Sequence, residues 1–132
     1  MKEEVSLLKN KVKHLKVLYT EDEYKMREIT GDFLHKFFTL VDTAIDGQNG
    51  LEKFKNTKYD IVITDILMPN MDGVEMLKKM KEIDNKIFTI VLTASAPQEV
   101  DVKELSNLYY RKPITYQNMI SIMEKLVEKF EL

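Results

Sequence analysis

The chain has no cysteine and no tryptophan, and only 4 glycines and 3 prolines among 132 residues. The missing cysteine excludes disulfides, thiolate metal sites and cysteine nucleophiles together, which agrees with a reducing compartment and makes the cytoplasm the expected location. The glycines at 31, 47, 50 and 73 are scattered, so there is no Gly-rich phosphate loop. Long apolar runs are missing as well. Ile61-Val62-Ile63 and Ile90-Val91-Leu92 fall far short of the roughly 20 residues of a membrane span, and the charged N-terminus has no signal-peptide core. A soluble protein is expected. Nor does one sign of charge dominate: 20 Lys and Arg face 22 Asp and Glu, a formal charge of −2. Such a balance gives no general attraction to nucleic acid or to acidic membranes, and any direct DNA role would need another domain.

From about Leu15 onward, short apolar runs alternate with longer amphipathic stretches. The strand-like runs are Lys16 to Thr20, Leu40 to Ala44, Asp60 to Thr64, Ile87 to Leu92 and a short Leu108 to Arg111. Between them, Tyr24 to Phe38 places Met26, Ile29, Phe33, Phe37 and Phe38 at helical spacing, and shorter helices are predicted over Gly50 to Asn56 and Val74 to Ile83. A brief or irregular helix is predicted from about Gln98 to Leu105. The last helix, Tyr116 to Phe130, carries Met119, Ile122, Met123, Leu126 and Phe130 on one stripe, the pattern of core packing. Strand and helix in alternation predict an α/β fold: a parallel sheet with helices on both faces. Residues 1–14 stand apart, because Val5, Leu8, Val12 and Leu15 recur every three or four positions among lysines and glutamates. We read 1–14 as an N-terminal helical extension, packed on or trailing from a single domain of residues 15–132, in preference to a dimer stem.

The chemistry lies at the predicted strand ends. Glu21 and Asp22 follow the first strand, Asp65 the third, Thr93 the fourth and Lys112 the fifth. In an open parallel sheet the carboxyl ends of the strands form the ligand crevice, so these side chains should converge. Three carboxylates at close quarters need a counter-charge, and a donor set of oxygens without His or Cys selects a hard cation such as Mg²⁺, with Mn²⁺ as an alternative. Asp65 suits nucleophilic attack on phosphorus, because a carboxylate is already ionised at neutral pH and needs no general base. Glu21 and Asp22 would hold the metal, while Lys112 and Thr93 would contact phosphoryl oxygens. His14 and His35 lie far apart and are predicted as helix-surface or boundary residues instead of metal ligands, and Pro69-Asn70-Met71-Asp72-Gly73 reads as a turn into a helix instead of a Ca²⁺ loop.

Taken in order, Val17-Leu18-Tyr19-Thr20-Glu21-Asp22-Glu23, Asp60 to Pro69, Met71-Asp72-Gly73, Val91-Leu92-Thr93-Ala94 and Lys112-Pro113 resemble the signatures of response-regulator receiver domains. The resemblance covers nearly everything after Leu15. It implies a flavodoxin-like (CheY-like) doubly wound sheet of strand order 2-1-3-4-5, and phosphorylation at Asp65 by a sensor histidine kinase or phosphotransfer protein. It also implies Glu21, Asp22, Asp65 and the backbone carbonyl of Leu67 as the Mg²⁺ site, with Thr93 and Lys112 contacting the phosphoryl group. Thr93 and Tyr109 match the family's switch pair, and Lys112-Pro113 its cis bond. The output is then a changed protein surface, read by a downstream partner or a fused output domain, in a monomer or weak dimer. Such a chain is a signalling module that catalyses only its own phosphorylation and dephosphorylation.

Two departures stand out. From Thr93 to Lys112 the chain runs 19 positions, shorter than is usual for the family, and Ser106-Asn107 replaces the expected Gly-Ala pair. In the family that the chain resembles, the positions of Leu67 and Ser95 flank the path of an attacking water and tune the phosphoryl lifetime, so the resemblance, with an apolar and a small neutral residue there, implies moderately slow self-hydrolysis. Two other functions stay open at this point: a degenerate receiver that binds without being phosphorylated, and an aspartyl-phosphate phosphatase, against which Leu67 speaks because such enzymes use a carboxylate there.

Overall fold

A computed structural model of the chain describes residues 2–94 and 100–132. The elements run α1 (Lys2–Val12), β1 (Lys16–Thr20), α2 (Tyr24–His35), β2 (Leu40–Ala44), α3 (Gly47–Asn56), β3 (Ile61–Thr64), α4 (Gly73–Ile83), β4 (Phe88–Thr93), α5 (Val100–Leu105), β5 (Leu108–Arg111) and α6 (Tyr116–Lys129). The five strands form one sheet in the order β2-β1-β3-β4-β5, and every neighbouring pair is parallel. This is the CheY-like, flavodoxin-like α/β fold the sequence predicts.

The β pleat sends successive side chains to opposite faces, which divides the core in two. Val17, Tyr19, Ile61, Ile63, Ile90 and Leu92 point to the layer built from α1, α2 and α6, and meet Leu34, Phe38, Met119, Ile122 and Leu126. Leu18, Val62 and Val91 point the other way, to Leu51, Phe54, Met76, Leu77, Met80 and Val102 from α3, α4 and α5. Because the central strands are covered on both faces, they are mainly apolar instead of alternating, with Thr20, Thr64 and Thr89 as buried polar exceptions.

The helix ends follow from capping. Asp46, Asp72 and Thr115 each accept a backbone N–H three residues on, starting α3, α4 and α6. At Thr115 the side chain of Asn118 also accepts the Thr115 amide, closing a capping box. Lys112-Pro113 is cis. The α1 helix lies along α6, with Val12 fully buried and Val5 and Leu8 packed on the first core.

Several expectations are corrected at their edges. The helix after β1 stops at His35, so Phe37 and Phe38 enter the core from the following turn. The buried stripe of α2 is Thr30, Gly31 and Leu34. Ile29, expected in the core, is 67% exposed, because at 100° per residue it falls on the flank turned away from Thr30 and Leu34. The third helix begins at Gly47, three residues earlier than predicted, since Asp46 caps it. The expected start of the fifth helix near Gln98 lies outside the described residues, as does Ser95; the described part runs from Val100 to Leu105. His35 is exposed at the end of α2, and His14 is exposed in the turn between α1 and β1. No helix among the described residues is long and apolar enough to cross a membrane.

Candidate functional site

The site stands where the parallel strands end. Glu21 and Asp22 leave β1, Asp65 leaves β3, Thr93 is the last residue of β4, and Lys112 follows β5. Backbone hydrogen bonds carry the sheet register one step further: the Asp65 amide donates to the Thr20 carbonyl at 3.2 Å, and the Lys112 amide to the Thr93 carbonyl at 2.8 Å. The carboxylates of Glu21, Asp22 and Asp65 offer oxygens that all lie within 4.8 Å of one another.

Lys112 is the counter-charge. Its Nζ donates to Glu21 Oε1 and to Asp65 Oδ2, each at 2.6 Å. Asp65 takes a second donor on Oδ1, the Ile66 amide at 2.7 Å, and its side chain is 13% exposed. Glu21 is only 1% exposed, and its Oε2 accepts the Glu23 amide at 3.2 Å. Burial pushes the Glu21 carboxyl above the ordinary range, against the pull of Lys112 and the Glu23 amide. For Lys112 burial opposes the charge, but the hydrogen bonds to Asp65 and Glu21 outweigh it and hold the ammonium above its usual value. Asp22, by contrast, is exposed. Three carboxylates facing one ammonium leave uncompensated negative charge on oxygen donors alone, a set that fits a hard divalent cation.

The loop between β3 and α4 forms the rim. It returns through the Gly73 amide, which donates to the Ile66 carbonyl at 2.7 Å. A Cβ at Gly73 would sit 2.2 Å from the Asp65 carbonyl oxygen, so only glycine lets α4 start this close to the site. Leu67 lies in this loop with its side chain 81% exposed. Tyr109, expected as the switch aromatic, sits on β5 opposite Val91 and is 43% exposed. Thr93 is half-buried beside Lys112.

Some of the groups at the site were not singled out from the sequence. Arg27 on α2 donates from Nη1 to the Glu21 carbonyl at 2.8 Å and to that of Asp22 at 3.4 Å, bracing the turn that carries both acids. Tyr19, two residues before Glu21 on the same pleat face, brings its hydroxyl to 3.5 Å from Glu21 Oε1. The period of two was the available signal for Tyr19; nothing in the sequence marks Arg27.

The family model for the response regulator receiver domain matches residues 17–124. The chain is 30% identical to sporulation initiation phosphotransferase F of Bacillus subtilis over 113 residues, covering 83% of this chain and 91% of that protein. A CheY-like receiver domain from Methanospirillum hungatei superimposes with a TM-score of 0.81 at 25% identity, covering 89% of this chain and 98% of that one. The response regulator TrrA of Thermotoga maritima, solved in complex with Mg²⁺ and BeF, gives a TM-score of 0.76 at 26% identity, with 85% and 98% covered. The chain spans 52% of the probable C4-dicarboxylate response regulator DctR of Bacillus subtilis and 7% of the hybrid signal transduction histidine kinase D of Dictyostelium discoideum.

Proposed function

The chain belongs to the response regulator receiver domain family, and from that premise we propose that Asp65 is its phosphoacceptor in a two-component pathway, charged by a sensor histidine kinase or a phosphotransfer protein. The observation that carries this reading is the Lys112 ammonium bridging Glu21 and Asp65 at 2.6 Å each, beside a third carboxylate at Asp22.

In this reading a carboxylate oxygen of Asp65 attacks phosphorus as the bond to the donor nitrogen of a phosphohistidine breaks, and the electron pair of that bond leaves with the imidazole. Asp65 needs no proton removed before it attacks. Lys112 follows the transferred group, exchanging a carboxylate oxygen for a phosphoryl oxygen, and the Thr93 hydroxyl donates to another. Glu21, Asp22, Asp65 and the Leu67 carbonyl would hold Mg²⁺, or Mn²⁺ in its place, which when bound offsets the charge gathering between donor and carboxylate. Backbone hydrogen bonds accepted by the Thr20, Thr93 and Ile66 carbonyls fix the main chain at Asp65, Lys112 and Gly73, from which these side chains act.

Added charge on Asp65 draws Thr93 inward, and Tyr109 turns into the space released, remodelling the face around β4 and β5. That face is read by a downstream protein or by an output domain of a longer chain. We place the receiver at residues 15–132, in the cytoplasm, as a monomer or weak dimer without direct nucleic-acid contact. The exposed, apolar Leu67 two residues past Asp65 supports moderately slow self-hydrolysis, and a dephosphorylation half-life of seconds would sink that part of the reading.

The test is incubation with acetyl phosphate or beryllofluoride, with and without Mg²⁺, followed by mass and amide NMR. A Mg²⁺-dependent change that is absent from Asp65→Asn and reaches Thr93 and Tyr109 supports the proposal. A wild-type chain that does not respond would overturn it in favour of an unphosphorylated binding module.

A further inference from the structure

Tyr19 is the fourth residue of β1 and is 1% exposed. The pleat turns it, with Val17, Ile61 and Ile63, toward the layer of α2 and α6. A buried phenol there must direct its hydroxyl at something polar. The hydroxyl points past the end of the strand, where Glu21 Oε1 lies 3.5 Å away. The Thr30 hydroxyl of α2, itself 4% exposed, is the second polar neighbour.

Glu21 Oε1 is the same oxygen that takes Lys112 Nζ at 2.6 Å, while Oε2 takes the Glu23 amide. Lys112 also holds Asp65 Oδ2 at 2.6 Å. An ammonium on a flexible stem follows the strongest acceptor within reach, and a phosphoryl group on Asp65 is a stronger acceptor than a shared carboxylate oxygen. As Nζ turns to it, Oε1 loses its short bond. Among the described residues, the hydroxyl remaining within 3.5 Å of Oε1 is that of Tyr19. The 3.5 Å separation is longer than a well-formed O–H···O bond of about 2.5–3.0 Å, which suits a reserve donor that closes on the carboxylate when the ammonium departs.

We infer that Tyr19 is a positioning residue: its hydroxyl holds the Glu21 carboxylate in its metal-facing orientation while Lys112 is engaged with the phosphoryl group. This rests on the reading of Asp65 as phosphoacceptor. Tyr19 touches neither the phosphoryl group nor Asp65 in this scheme, and acts through Glu21 alone. A phenylalanine fills the same core space without the donor.

The experiment is a Mg²⁺ titration of acetyl phosphate-driven phosphorylation in the full chain, wild type against Tyr19→Phe. The half-saturating Mg²⁺ concentration should rise by about 3- to 10-fold, the scale of one ordinary net hydrogen bond. The rate at saturating Mg²⁺ should fall by less than about two-fold, a split that marks lost metal binding instead of lost chemistry. The carboxyl ¹³C resonance of Glu21, assigned by its disappearance in Glu21→Gln, should shift between wild type and Tyr19→Phe in the beryllofluoride-bound state. A purely structural phenol would lower the metal-free melting temperature and leave half-saturation and the Glu21 resonance where they are, and that result overturns the inference. A wild-type chain that takes no phosphoryl group overturns both readings. A wild type that is phosphorylated, with Tyr19→Phe showing the same half-saturation, overturns only the role of Tyr19.

Discussion

Asn70 donates its side-chain amide to Asp46 Oδ2 over 2.8 Å, and this bond ties the loop after Asp65 to the N-terminus of α3, 24 residues away in sequence. The other Asp46 oxygen caps α3 through the Asn49 amide at 2.7 Å. The Gly47 amide donates to the Met71 carbonyl at 3.1 Å, making a second tie between the same two segments. Asn70 is held at φ 68, in the left-handed region where asparagine is among the few side-chain-bearing residues at ease.

This clasp separates conformation from bonding. Asn70→Ala loses both the bond and the tolerance of positive φ and should destabilise the fold by about 2 kcal/mol, while Asn70→Gly loses only the bond and should cost about 1 kcal/mol. Denaturant melts of the two variants check the order. If they cost the same, the left-handed backbone contributes nothing to the difference. Both should also raise the half-saturating Mg²⁺ concentration if the Leu67 carbonyl, carried by this loop, is a ligand.

Gly47 makes a sharper demand on the same contact. A Cβ there would lie 2.1 Å from the Met71 carbonyl oxygen, a backbone atom that cannot rotate away. Gly47→Ala should therefore push the loop from α3 and cost about 2–4 kcal/mol, despite alanine's better helix propensity. Amide NMR should show changes spreading from Ile66 to Gly73. A variant as stable as wild type would mean that the loop yields freely.

Much of this was legible in the sequence. Apolar runs such as Ile61-Val62-Ile63, with helices between them, set the order of elements, and the polar residues at strand ends marked Glu21, Asp22, Asp65 and Lys112 as neighbours. What stayed hidden depends on rotation and on distance. Ile29 and Thr30 differ by 100° about one helix axis, and the apolar spacing alone chose the wrong one. The Asp46–Asn70 and Arg27–Glu21 contacts involve residue types that are ordinary caps or surface groups, and only the closed fold brings them together. Tyr19 reads as one more strand residue until its hydroxyl is placed against Glu21.

The acidic cluster should trade stability for metal binding. Asp22 is exposed and has oxygens within 4.8 Å of those of Glu21 and Asp65, with Lys112 already engaged by the other two. Asp22→Asn removes like-charge repulsion through a well-screened medium and should stabilise the metal-free chain by about 0.5–1 kcal/mol. The same change should abolish the rise in melting temperature that added Mg²⁺ gives the wild type. A melt series with and without Mg²⁺, repeated at high salt to screen the repulsion, reads both effects. A loss of metal-free stability would show that Asp22 holds the fold and not only the ion.

Alkaline pH tests a group far from the site. The Tyr59 hydroxyl donates to Asp42 Oδ2 at 2.6 Å, and the ring is 3% exposed. Burial, and then the hydrogen bond to Asp42, push its phenol well above the ordinary value of 10.0. The folded chain thus keeps a proton that the unfolded chain releases, so the associated stability is complete below about pH 10 and declines as pH climbs toward the folded value. In Tyr59→Phe the decline above pH 10 should be shallower, although not flat, because burial raises Tyr19 in the same direction. Urea midpoints measured from pH 8 to 11 give the slope, and identical slopes in the two chains would exclude Tyr59 as a source.

Thr20 offers a stabilising change next to the site. Its side chain is fully buried, and Oγ1 has no hydrogen-bond partner. The hydroxyl faces the α3 side, close to Gly50 and the Met76 sulfur. Valine has the same branched shape and favours the strand, so Thr20→Val exchanges an unpaired polar atom for a methyl group without a change of packing volume. The gain should be about 1–2 kcal/mol. Because the Thr20 carbonyl, not its side chain, receives the Asp65 amide, phosphorylation should proceed at the wild-type rate. A destabilised Thr20→Val would show that the hydroxyl is solvated by a buried water or bonded in the folded chain, and the ordering of β1 below Glu21 would then have a polar component.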